Sequence, residues 1–156
     1  MSMHTWFECK IRYEKTLENG MTKKVNEPYL VDALSFTEAE ARIIEEMAPF
    51  ISGEFTVSDI KRANYSELFP SDEETADRWF KCKLLFITLD EKSGAEKKTS
   101  TQVLVQAADL RDAVKKLDEG MKGTMADYQI ASVAETAIMD VYPYKSDDAE
   151  GPSARG

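Results

Sequence analysis

Few residues in this chain could do chemistry, and the most suggestive ones occur twice. Trp6, Lys10 and Arg12 alternate with apolar residues near the start, and Trp79, Lys81 and Lys83 do the same further on. In an extended strand such residues project from one side of the sheet. A lysine pair follows each set, Lys23-Lys24 and Lys97-Lys98. Indole rings stack on bases while Lys and Arg neutralise phosphates, as in sequence-tolerant single-strand binders. The expected chemistry is therefore recognition of single-stranded nucleic acid by Trp6, Lys10, Arg12, Lys23, Lys24, Trp79, Lys81, Lys83, Lys97 and Lys98. The same face carries apolar residues. Leu85 and Ile87 stand where the first set has Arg12 and Glu14, and Leu30 and Leu104 should point the same way. An apolar sheet face packs against something, so a homodimer or a protein partner is the alternative.

Catalysis finds little support. No glycine-rich phosphate loop, G-x-S-x-G elbow or H-E-x-x-H pair is present. His4 is the only histidine, stands near the start of the chain and lacks a relay partner. The 29 carboxylates guarantee close pairs by number alone. Asp32 with Glu38, and Asp72 to Glu74, read as solvated or helix-capping groups rather than an acid–base pair. Cys9 and Cys82 lie in apolar, strand-like runs, where a free cysteine behaves as a small buried hydrophobe. With one histidine they are too few for a zinc site. No catalytic residue, metal or cofactor is expected. The chain reads as a binding protein.

These side chains are carried by a duplication. Trp6-Phe7-Glu8-Cys9-Lys10-Ile11 aligns with Trp79-Phe80-Lys81-Cys82-Lys83-Leu84 at an offset of 73 residues. Gly20, Lys23, Lys24, Leu30, Val31, Ala33 and Met47 match Gly94, Lys97, Lys98, Leu104, Val105, Ala107 and Met121 at 74. The offset returns to 73 for Glu54–Val57 on Asp127–Ile130 and for Glu67–Pro70 on Asp140–Pro143. Matches that stay in register along a whole unit indicate an internal repeat.

Each copy predicts the same elements. Residues 6–15 alternate, with Phe7, Cys9, Ile11 and Tyr13 on one face and Trp6, Lys10 and Arg12 on the other. Asn19-Gly20 suits a tight hairpin turn, and residues 25–33 return as a second strand. Ser35 and Glu38 form a capping box for a helix whose apolar positions are Ala39, Ile43, Met47 and Phe50. Residues 54–69 read as one long or bent strand. Copy two repeats this with a Ser93-Gly94 turn and a helix opened by Asp109. The expected fold is α+β: two tandem ββαβ repeats with pseudo-two-fold symmetry, an antiparallel sheet and helices on one side. Repeat 1 spans 1–70, an acidic connector 71–78, repeat 2 79–144 and a disordered tail 145–156, the repeats sharing one domain.

Charge and hydropathy narrow the setting. A net charge of −9 opposes non-specific attraction to nucleic acid or anionic lipid. The acid is concentrated on the first helix (Glu38, Glu40, Glu45, Glu46) and in the connector, which would leave the lysine-bearing strands polarised against it. No run reaches the roughly 18 apolar residues of a membrane helix. The opening residues lack the basic and apolar regions of a signal peptide, which predicts a cytoplasmic protein without membrane partners.

The runs Trp6–Lys10, Glu27–Ala33 and Asp59–Tyr65 resemble a family of small uncharacterised proteins, described as a domain of unknown function. The resemblance covers about residues 3–144. It implies a source in bacteria of the Bacteroidetes group, their phages and mobile elements. It implies no activity and no site residues.

Overall fold

The computed structural model describes residues 5–143. The histidine at position 4 and the tail from Lys145 onward lie outside the described residues. The element order is β1 (Thr5–Thr16), β2 (Thr22–Ala33), α1 (Phe36–Met47), β3 (Phe55–Ala63), β4 (Glu67–Phe69), β5 (Arg78–Leu89), β6 (Glu96–Ala107), α2 (Leu110–Gly120), β7 (Asp127–Glu135) and β8 (Val141–Tyr142). The fold is α+β, and the ββαβ pattern occurs twice in tandem, as β1β2α1β3 and β5β6α2β7. Among the described residues no helix is long and apolar enough to cross a membrane.

The described residues form two compact units, one of residues 5–63 with 138–143 and the other of residues 64–137. Each holds a four-stranded sheet, in the orders β3-β1-β2-β8 and β4-β6-β5-β7. The three long strands of each sheet are antiparallel, whereas β8 runs parallel to β2 and β4 parallel to β6. The run 54–69 is therefore not continuous. It breaks at residues 64–66, and the short β4 joins the sheet of the second unit, where Ser66 N–H donates to the Gln102 carbonyl at 2.8 Å. β8, which follows repeat 2, correspondingly joins the first.

The helices start where local chemistry dictates. The Ser35 hydroxyl accepts from Glu38 N–H at 3.1 Å, and the Glu38 carboxylate reaches back to Leu34 N–H. Asp109 and Asp112 repeat the device, accepting from Asp112 N–H at 2.8 Å and Ala108 N–H at 3.0 Å. Such caps satisfy amide donors that the first helical turn leaves without partners. Phe50 lies beyond α1 and is 76% exposed, so the buried stripe ends at Met47. The expected tight hairpin at Asn19-Gly20 is a longer loop. Only Gly20 takes a positive φ (84°), while Asn19 uses its side-chain oxygen to accept from Met21 N–H at 3.0 Å.

Each helix covers one face of its own sheet. In unit one the core is Phe7, Cys9, Ile11, Val31, Ala33, Ala39, Ile43 and Met47. In unit two it is Phe80, Cys82, Leu84, Val105, Ala107, Ala113, Leu117 and Met121, with Val103 added. These two sets are repeat equivalents position by position. Even the bulges match, since the ladder to the third long strand shifts at Lys10/Ile11 and at Lys83/Leu84. Both thiols are free and buried, and burial pushes Cys9 up to about 12 and Cys82 to about 11.

Candidate nucleic-acid interface

Strand alternation sorts the ten sequence-predicted residues by face. Helix α1 packs on the Phe7 side of β1, so Trp6, Lys10 and Arg12 point away from it, as does Lys24, the ladder partner of Glu14. In unit two Trp79, Lys81, Lys83 and Lys98 point away from α2. Lys23 and Lys97 fall on the opposite side of their strands, so each lysine pair is divided between faces. The arginine and all the lysines are exposed except Lys10, which is half-buried. The tryptophans are not equivalent to them. Trp79 is only 4% exposed and Trp6 is half-buried, so Trp79 offers no ring face to a base in this structure. Leu30 and Leu104, on the same faces, are fully buried.

Register separates the two faces electrostatically. In unit one Glu8 is the ladder partner of Lys61, Lys10 of Asp59 and Glu14 of Lys24. Side chains directly opposite stand about 5 Å apart at Cβ, close enough for opposite charges to offset one another. Arg12 has neutral partners, Asn26 and Thr56. In unit two Lys81 lies between Leu104 and Ala134, Lys83 between Gln102 and Ser132, and Lys98 opposite Ile87. No carboxylate is directly opposite any of these three lysines.

Beside them lies a polar cleft. Asn64, Tyr65, Ser66, Ser100, Thr101 and Gln102 line a volume of about 380 Å³ along the edge of β6. It exists because β4 pairs only with Val103–Val105, which leaves the preceding stretch of β6 without a strand on that side. Gln102 is the ladder partner of Lys83, so cleft and lysines adjoin. Ser66 Oγ is held by Thr101 Oγ1 at 3.0 Å. Amides, hydroxyls and one phenol here supply hydrogen-bonding groups and an aromatic ring beside a cationic strip. Sequence reasoning missed these residues. The signal for the charge asymmetry was present, since Glu8 in repeat 1 is Lys81 in repeat 2.

A second polar cluster sits in unit one, on the helix side of the sheet. The Glu27 carboxylate accepts from Tyr13 Oη at 2.9 Å, Lys15 Nζ at 3.3 Å and, more weakly, Tyr29 Oη at 3.5 Å. Burial, then the Glu27 hydrogen bond and charge, push the Tyr13 phenol up to about 12. Burial and then the Glu27 charge push Tyr29 higher still. The phenols stay neutral and the carboxylate is already bonded, so the cluster is a hydrogen-bonded network closed on Glu27. Repeat 2 has Phe86, Thr101, Val103 and Thr88 at the equivalent positions. Among the described residues no group of three or more His, Cys, Asp or Glu is placed to hold a metal ion.

The profile of the domain of unknown function DUF4494 matches residues 5–144, nearly the whole chain. The chain belongs to this family. No curated protein matches it. The span matched by the DUF4494 profile includes both repeats and both exchanged strands, β4 and β8.

Proposed function

We propose that this DUF4494 protein is a non-enzymatic accessory factor that binds single-stranded nucleic acid across the second sheet. The carrying observation is that Lys81, Lys83 and Lys98 have no carboxylate directly opposite, whereas the cations of the first sheet mostly do. In this reading the three lysines take the phosphates. The Asn64–Gln102 cleft takes a sugar or base edge, and Tyr65 replaces Trp79 as the ring beside the strand. The cytoplasm, in Bacteroidetes-type bacteria or their phages and mobile elements, is the proposed setting.

Fluorescence anisotropy of a labelled single-stranded oligonucleotide, titrated at low and high salt, tests the proposal. Binding should weaken with salt, with a slope of about 0.7 per phosphate contact. Lys83→Glu and Lys81→Glu should abolish most of it. A chain that leaves the oligonucleotide free at low salt refutes the proposal. The half-buried Leu85 and Ile87 beside Lys83 favour a protein partner as the second reading. Retention of that partner by the Lys83→Glu variant would distinguish the two.

A further inference from the structure

The last short strand of each repeat completes the other repeat's sheet. β4 follows β3 of the first unit but pairs with β6, and β8 follows β7 of the second unit but pairs with β2. β8 is the more weakly held by ladder, with pairs Leu30↔Val141 and Val31↔Tyr142 only. Around that ladder, Met139 N–H donates to the Pro28 carbonyl at 2.9 Å and Leu30 N–H to the Asp140 carbonyl at 3.0 Å. Arg42 Nη2 donates to the Pro143 carbonyl at 3.0 Å, and Tyr142 stacks on Tyr29 with centroids 6.2 Å apart. The slot on β2 therefore holds Met139–Pro143 as an extended segment through both backbone and side-chain contacts.

The hinge leading to that segment is short. Thr136 is fastened to the Trp79 carbonyl by both its N–H and its Oγ1, each at 2.9 Å. Met139 is already fastened to Pro28, so only Ala137 and Ile138 lie between the two anchors. Short hinges favour exchange of an identical element between copies, because closure onto the same chain has little slack. We propose that the β2 edge along Pro28–Val31 also accepts Met139–Pro143 of a second copy of this chain, two copies closing each other's first sheet by reciprocal exchange of β8. The backbone bonds, the Arg42 clasp and the Tyr29–Tyr142 stack are the same in both forms. The closed monomer is favoured only by effective concentration, typically millimolar across a short linker. Exchange should therefore appear at high protein concentration, above all on refolding.

Ladder partners Val31 and Tyr142 provide the test. Chains carrying Val31→Cys alone and Tyr142→Cys alone are mixed unfolded, refolded at high concentration and oxidised. A disulfide-linked heterodimer is expected, with yield falling on dilution. The double variant refolded dilute should close within one chain, and the buried native thiols, Cys9 and Cys82, should not compete. A double variant that closes while the mixed single variants never pair overturns the proposal. A flexible insertion after Ala137 should lower the heterodimer yield by relieving the short hinge, and an undiminished yield counts against the hinge. If neither cross-link forms, sedimentation of the unsubstituted refolded chain decides. A dimer formed on refolding at high concentration and lost on refolding dilute supports exchange, and a monomer at every concentration refutes it.

Discussion

The two units bury the same core and present different outer faces. Phe7 and Phe80, Cys9 and Cys82, and Ile43 and Leu117 occupy matching positions under matching helices. On the far side, cross-strand acid–base partners in the first sheet give way to lysines with neutral partners in the second. On the helix side, the Tyr13–Glu27–Tyr29 network gives way to Phe86, Thr101 and Val103. Core positions are constrained by packing density, where one methylene is felt. Surface positions are free to diverge once the fold is secure. Duplication thus produced one architecture with two surfaces, and the divergent surface of the second unit is where a partner is proposed.

The comparison can be broken most forcefully in the core. Phe7→Ala and Phe80→Ala should each cost about 3–5 kcal/mol in chemical denaturation, the usual loss for a buried ring. Losses differing severalfold would show that the cores are matched in position but not in energy.

The helix ends give a smaller, asymmetric effect. Gly120 leaves room for Phe69 of β4, and a Cβ there would stand 2.9 Å from its ring. Gly120→Ala should destabilise by about 1–3 kcal/mol, as overpacking does. Glu46→Ala at the equivalent place on α1 should change little. Equal effects in thermal unfolding would show that β4 and β8 dock alike.

Alkali should separate the units next. Tyr13 is raised from an ordinary 10.0 to about 12, and Tyr29 is raised further. A group raised on folding contributes stability below its unfolded value and loses it as pH climbs through the folded one. Stability should therefore decline from about pH 10 to 12 and beyond as tyrosinate absorbance grows. A Tyr13→Phe/Tyr29→Val variant, which copies repeat 2, should lose much of that dependence. An unchanged alkaline slope would place its origin outside the Glu27 network.

The smallest effect sharpens the surface contrast. Under the nucleic-acid reading, Lys83→Ala should flatten the salt dependence by about 0.7 and Lys10→Ala by much less, because Asp59 already opposes Lys10. Equal flattening in both variants would mean that the cross-strand acids do not matter.

What the sequence determined by itself is what lies within one element or one copy. Alternation about Phe7 and Phe80, the helical spacing of Ala39, Ile43 and Met47, and the Ser35 and Asp109 caps are short-range patterns. Their physics needs only neighbouring residues. The register of the two copies then showed which positions share a core. Tertiary structure decided everything that depends on who stands opposite whom. Strands of two or three residues such as β4 and β8 have no period to read, so their exchange between sheets was invisible. The pairing of Lys10 with Asp59 spans 49 positions and shifts at a bulge that no residue type announces. Trp79 looked like an exposed ring from alternation alone. Alternation gives only the side of a sheet on which a residue lies, and burial depends on what else reaches that side.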